Sequence, residues 1–357
     1  MDKLRKRGML QEYESNKDKA SVGLIRLPFS TNLQHLLLKG GTMKQDIISP
    51  LPDVEYIYIN NTKLAKEILC NHITADGYWN DLNVFNDVSI KVALRHINNE
   101  EFQFKMIDTL IMDVIGSLYD NAIYKFTTDM IARIIFHDTH HRTSKKVLQT
   151  IEERIDLLME LQIRLDIENE YISRESYPKD RRLQNKRYAN FLPIKAIDAT
   201  FSANSKRGTG YHLYQSPPIW EYAKYTKQII ACRFDAFSFY KKHMTIESLF
   251  ILQYVYRRIE TMKNTHNNVY NRKICLYRIE NKVPKGLLAD CEINPSTYKN
   301  WNDKHRKICQ LIVALLEHLK TTDVKEMRIK DYHYYKTINA EGYHIDLYSK
   351  KYYNYKK

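Results

Sequence analysis

The sequence predicts an α+β protein built of two similar modules. Three observations carry that prediction. Apolar residues recur at three- and four-residue spacing over several stretches, short alternating stretches lie between them, and the same order of elements occurs twice. With 357 residues the chain has the length for two or three domains, because single cores rarely grow beyond about 250 residues. The expected division is an N-terminal arm and small strand-containing extension over 1–100, a first module over 101–230 with an extended hairpin, and a second over 231–357 ending in a basic, tyrosine-rich tail.

Residues 1–21 are polar and charged and read as an arm. Residues 54–59 and 88–94 are strand-like, and Thr62 is the expected N-cap of a short helix reaching Leu69. In the first module Ile107, Leu110, Ile111, Val114, Ile115 and Leu118 mark one helix face, which Asn121 ends. Residues 123–126 read as extended, and Thr127 caps a second helix over 129–135. After a polar break over 137–143, Ser144 opens a third helix with Val147, Ile151, Ile155 and Leu158 on its inner face. Residues 162–167 alternate as a strand. A basic stretch over 173–188 then leads to a hairpin of 191–197 and 211–214, with a tip at 205–210 whose glycines supply positive φ. Pro217 and Pro218 precede a short helix that connects the modules.

The second module repeats the pattern. Leu249, Leu252, Val255, Tyr256 and Ile259 line a long helix, residues 273–279 a strand, 285–291 a short helix and 294–297 a turn. The next helix carries Trp301, His305, Ile308, Ile312, Leu315, Leu316 and Leu319 on one stripe, which makes Trp301 a core residue. Residues 324–329 and 343–348 are the closing strands. Helix, short strand, helix, turn, helix and strand is the order of a winged helix, a helix-turn-helix variant with an appended β-hairpin.

Fifty-six Lys and Arg against 42 Asp and Glu leave a net charge of +14, which points to an anionic partner, most simply nucleic acid. The 27 tyrosines and 10 glycines also betray AT-rich codons, which raise the lysine count without any partner, so the placement of the charges decides. The outer face of the third helix carries Arg142, Lys145, Lys146, Gln149 and Glu153, and its later half is acidic through Glu152, Asp156 and Glu160. A basic first turn suits a helix whose N-terminal end enters a major groove, where the N–H groups and dipole add to the pull on phosphate. Lys and Gln can also read base edges. The equivalent helix of the second module carries Lys299, Asn300, Asp303, Arg306, Lys307 and Gln310. Lys206 and Arg207, at the expected hairpin tip, could reach a minor groove or phosphates. Each feature taken singly also fits a solvated face.

Several stretches together resemble the two-winged-helix replication initiators (Rep proteins) of plasmids and related mobile elements in bacteria. They are Ile111-Met112-Asp113-Val114-Ile115-Gly116-Ser117-Leu118-Tyr119-Asp120-Asn121, Phe126-Thr127-Thr128-Asp129-Met130-Ile131, Ser144-Lys145-Lys146 and Ile151-Glu152-Glu153-Arg154-Ile155. Pro217-Pro218-Ile219-Trp220-Glu221-Tyr222-Ala223 and Tyr256-Arg257-Arg258-Ile259-Glu260-Thr261-Met262-Lys263-Asn264 continue the likeness, which runs from about residue 104 to the C-terminus. The resemblance implies sequence-specific binding of double-stranded DNA at origin repeats, recruitment of host replication proteins, and exchange between monomer and homodimer.

Other chemistries find less support. No G-x-x-x-x-G-K-[ST] run occurs, so no P-loop nucleotide hydrolysis is expected. His137, His140 and His141 lie in a polar turn with Asp138 alone nearby, and read as surface histidines rather than metal ligands; no metal or other cofactor is expected. Glu280-Asn281-Lys282 after a strand, with the distant Asp53, faintly resembles a metal-dependent nuclease. No catalytic constellation stands out, and the expectation is a protein without enzymatic activity. A winged-helix transcription regulator, a nuclease and an RNA-binding module are the alternatives. The five cysteines are odd in number and dispersed, which fits a reduced cytoplasmic protein. Apolar runs such as 311–316 are too short to span a bilayer, and no apolar segment follows the basic residues 1–7 as an export signal requires.

Overall fold

The computed structural model describes residues 46–48, 56–68, 72–75, 78–82, 91–137, 143–166, 186–201, 206–237, 239, 244–264, 272–280, 283–321 and 329–348. These form a mixed α and β structure of helices packed among several small sheets. The expected arm, the basic stretch up to residue 185 and the tyrosine-rich tail lie outside the described residues.

The chain begins with β1 (Asp46–Ile48), β2 (Tyr56–Asn60) and α1 (Lys63–Ile68). Thr62 caps α1 as its sequence position predicts, its hydroxyl accepting the Ala65 N–H at 3.1 Å. Short strands β3 (His72–Ile73), β4 (Asn80–Leu82), β5 (Lys91–His96) and β6 (Phe102–Gln103) follow. Helix α2 (Met106–Asp120) is buried on nearly every side: the predicted stripe from Ile107 to Leu118 is in the core, and so are Asp108, Asp113, Gly116 and Ser117 on its other faces. A helix surrounded in this way must give each of its polar groups a partner. Next come β7 (Lys125–Phe126), α3 (Thr128–Ile135) and α4 (Lys145–Met159). Thr127 accepts the Met130 N–H at 3.2 Å and Ser144 the Val147 N–H at 3.3 Å, the two predicted caps. The half closes with β8 (Leu161–Asp166), β9 (Lys186–Asn190), β10 (Ile194–Phe201), β11 (Lys206–Leu213) and α5 (Pro218–Tyr225).

Strand β12 (Ile229–Arg233) leads to α6 (Ile246–Asn264), β13 (Lys273–Glu280), β14 (Val283–Lys285) and the single turn α7 (Leu287–Asp290). A 3-10 turn at Pro295–Thr297, capped by the Asn294 side chain on the Ser296 N–H at 3.0 Å, precedes α8 (Trp301–Thr321). The hairpin β15 (Ile329–Lys336) and β16 (Ala340–Leu347) follows; the predicted strand residues 324–328 lie outside the described residues.

The sheets are ordered β1-β10-β11-β7, β4-β5-β8-β9, β14-β13-β16-β15, β12-β2 and β3-β6. One arrangement therefore occurs twice. The strand after a long helix pairs with the second strand of a later hairpin, β7 with β11 and β13 with β16, and two helices lie between. In the first half the pair β8–β9 is inserted ahead of that hairpin.

Several pairings join segments that the sequence divides. Strand β5 pairs with β8 and β2 pairs with β12, so both strands are built into the body of the molecule. The expected boundary between residues 230 and 231 falls inside β12. Buried side chains from Ile57 to Ile345 form one continuous apolar cluster. Helix α2 contacts α6 of the second half, and between them Arg257 pairs with Asp113 at 2.5 Å. Asp113 also accepts the Asn60 N–H at 2.9 Å, and burial pushes its carboxyl up to about 6 despite Arg257. Gly116 lets α5 lie directly on α2: a Cβ there would come within 2.2 Å of the Trp220 ring. The Trp220 indole then donates to Asp120 at 3.0 Å.

His137 corrects the sequence reading. It is a buried residue rather than a surface one, its ring stacked with Phe234 and edge-on to Phe237, with Nδ1 2.9 Å from the Phe234 carbonyl. Burial holds its imidazole down at about 4. His140 and His141 lie outside the described residues.

Candidate nucleic-acid interface

Helix α4 is oriented by its inner face and by one buried cation. Ile151, Ile155 and Leu158 are fully buried against α2 and α3. Arg154 turns inward with them, gripping Asp108 of α2 with Nε at 2.8 Å and Nη2 at 2.6 Å and donating to the Gln103 carbonyl at 2.9 Å. Its guanidinium also lies 4.7 Å from the centre of the Phe102 ring. The Asp108 carboxyl is raised by desolvation, with Arg154 opposing the shift. A bidentate pair of this kind fixes rotation about the helix axis as well as position.

That orientation leaves Lys145, Lys146 and Gln149 exposed on the outer face. No described carboxylate pairs with either lysine. Gln149 donates to Glu153 on the next turn at 2.9 Å, so reading a base edge would require that contact to open. The acidic half of the helix faces other partners, Asp156 accepting from the Tyr211 hydroxyl at 3.3 Å and Glu160 lying 3.2 Å from His96. Arg142 lies outside the described residues.

The second helix is similar at its start and different one turn later. Lys299 and Asn300 are exposed just ahead of α8, and no described carboxylate pairs with Lys299. Asn300 caps the helix, its side-chain oxygen accepting the Asp303 N–H at 3.2 Å. Arg306 and Lys307 are also exposed, but both bind Asp303, at 2.5 and 2.8 Å. Hydrogen bonds from Lys307 and Arg306 hold the Asp303 carboxyl below its ordinary range, so it stays charged and offsets part of their field. Lys304 turns away to pair with Glu247 of α6. Trp301 is half-buried, packed on the core beside Tyr298 and His305 rather than enclosed by it.

Lys206 and Arg207 stand elsewhere than the sequence suggests. They are the first two residues of β11, in register with Phe201 and Thr200, so they belong to the paired strands; residues 202–205 lie outside the described residues. The strand pattern had been hidden by the glycines at 208 and 210, which sit within β11 opposite Ala199 and Ile197.

One exposed position was missed. The β15–β16 hairpin turns through Thr337, Ile338 and Asn339, and Ile338 is 99% exposed beside the exposed Lys336. An isolated apolar side chain at a hairpin tip can wedge against a minor groove. Its signal in the sequence is an isoleucine between turn-forming residues. Glu280, the carboxylate of the weak nuclease reading, is engaged by Lys285 at 2.8 Å and Arg278 at 3.3 Å, and Asp53 lies outside the described residues. Among the described residues no helix is long and apolar enough to cross a membrane.

No protein-family model and no curated protein matches the sequence. The structure is similar to a solved crystal structure of domains 2 and 3 of RctB, at 10% identity and a TM-score of 0.34, over 87% of this chain and 97% of that one.

Proposed function

We propose that this chain is a sequence-specific double-stranded-DNA-binding protein, built of two winged helices, that initiates replication of a plasmid or related mobile element. The observation that carries the reading is the repeated arrangement of helix, strand, two helices and strand-paired hairpin, with cationic residues exposed at the start of the equivalent helices α4 and α8. Lys145 and Lys146 on one, and Lys299 on the other, would meet phosphates through charge and the adjacent helix N-terminus. The hairpin tip at Ile338 would lie along a neighbouring minor groove. Contacts to phosphate would set the position of each head, and the outer faces of the two helices would read bases.

The initiator role rests on the sequence resemblance, whose stretches include Asp113, Gly116, Trp220 and Arg257, all engaged at the junction of α2 with α5 and α6. Two heads on one chain suit direct repeats, and host replication proteins and exchange between monomer and homodimer belong to the same reading. It is a binding role without catalysis.

Footprinting the full chain on the DNA flanking its gene tests the proposal. Expected is protection of directly repeated elements, resistant to competition by RNA, and loss of plasmid maintenance on deletion of the gene. Protection with unchanged maintenance would leave a regulator of transcription instead, and nicking of supercoiled plasmid with Mg²⁺ would favour a nuclease.

A further inference from the structure

The face of α8 opposite Lys307 carries a cluster that the DNA-binding reading does not use. His305 and Cys309 are four residues apart and therefore on one side of the helix. Glu341, near the start of β16, faces them. The His305 Nε2 is 2.8 Å from the Glu341 carboxylate, and the Cys309 sulfur is 3.9 Å from the His305 ring nitrogens. One ligand atom from each residue falls within 4.8 Å of the other two.

The surroundings fix this geometry. Glu341 is placed by strand pairing on both sides of β16, opposite Tyr277 and Lys336. At Gly342 the strand approaches β13 so closely that a Cβ would lie 2.1 Å from the Ile274 carbonyl oxygen. The Tyr334 hydroxyl donates to Glu341 at 2.7 Å, an outer partner that orients the carboxylate. Side-chain exposures of 23% for His305 and 13% for Glu341 leave an entry path while removing most water. Lys336, 4.0 Å from Glu341, is a competing cation, but it is exposed and free to swing away.

We infer that His305, Cys309 and Glu341 form a three-ligand site for a thiophilic divalent cation, Zn²⁺ being the chemical match, that fastens α8 to the β15–β16 hairpin. Tetrahedral Zn²⁺ at ordinary bond lengths spaces such donors by about 3.3–3.6 Å. The sulfur–nitrogen gap of 3.9 Å is longer, the nitrogen–oxygen gap of 2.8 Å is shorter and the sulfur–oxygen gap is within 4.8 Å, so the three side chains must rotate to converge on one ion. Thiolate with imidazole selects Zn²⁺ or Co²⁺ over Mg²⁺ and Ca²⁺, and a fourth position remains for water. On binding, the Cys309 thiol gives its proton to solvent. The second His-containing cluster, His96, Glu100 and Glu160, has no thiolate, and its His96 Nδ1 already faces the N–H groups of Asn98 and Glu100 at 3.3 and 3.4 Å.

The test is a Co²⁺ titration of the reduced, chelator-treated full chain. Expected are one Co²⁺ per chain with a thiolate-to-cobalt charge-transfer band, displacement of that band by Zn²⁺, and a higher melting temperature with Zn²⁺. Cys309→Ser should abolish the band, and His305→Asn and Glu341→Gln should each weaken Co²⁺ binding at least about tenfold. The three variants should melt like the parent protein without metal, and a variant that does not is set aside in favour of the other two. A wild-type chain that gives no thiolate band, or a band that persists in Cys309→Ser, overturns the assignment. Neither result bears on DNA binding.

Discussion

At the scale of single residues, the buried charges define what the fold tolerates. Asp113 and Arg257 are 2% and 9% exposed and pair across the two halves. Removing one partner strands the other charge in the core, so Asp113→Ala should cost about 3–5 kcal/mol of stability, read by chemical denaturation. His137 gives a pH signature. Its imidazole titrates near 4 when folded and near 6.5 when unfolded, so the unfolded chain binds the extra proton between those values. The contribution of His137 is fully present above about 6.5 and is lost as pH falls towards 4, roughly 3 kcal/mol in all. The raised carboxyls of Asp108 and Asp113 act oppositely, because they bind protons in the folded state and lose stability as pH rises through their folded values. Comparison with His137→Asn, a residue that accepts the positive φ of 52° there, isolates the histidine. The variant should lack the rise in stability between pH 4 and 6.5 that the parent shows relative to it.

At the scale of elements, what the sequence revealed was local. The caps at Thr62, Thr127 and Ser144 are each satisfied within three residues, and their neighbours alone determine them. Helix faces from 107–118, 147–158 and 308–319 follow from a period that any window displays. The pairing of β7 with β11 and of β5 with β8 links segments tens of residues apart, and nothing in either strand names its partner. His137 differs from its sequence reading for the same reason: the residues that follow it in the chain are polar, while Phe234 and Phe237 bury it from a distance. Arg154 and Gly116 look unremarkable until Asp108 and Trp220 are placed beside them. Gly116→Ala should force α5 away from α2 and cost about 1–3 kcal/mol, measurable as a lowered melting temperature. On α8, Asp303 restrains two cations, so Asp303→Asn should raise duplex affinity at low salt and steepen its salt dependence, in a filter-binding or anisotropy titration. A weaker affinity in that variant would mean that α8 does not face DNA.

At the scale of the whole molecule, three of the stretches that carry the resemblance meet around α2. Asp113 meets Arg257 of the second half, and Gly116 and Asp120 meet Trp220 of α5 within the first, so these residues pack the interior around α2. The candidate interface residues on the outer faces of α4 and α8 are exposed and polar, so the sequence showed them as two basic helix starts and little more. The single apolar cluster shared by both halves fixes α4 and α8 within one core. The most direct test is the salt dependence of duplex binding by the full chain, compared with Lys145→Ala/Lys146→Ala and with the triple variant that adds Lys299→Ala. Each lysine that meets a phosphate should take about 0.9 from the slope of log affinity against log salt, up to about two units for the pair and about three for the triple. Affinity and slope that stay at the parent values in the triple variant would contradict the placement of both helices on DNA.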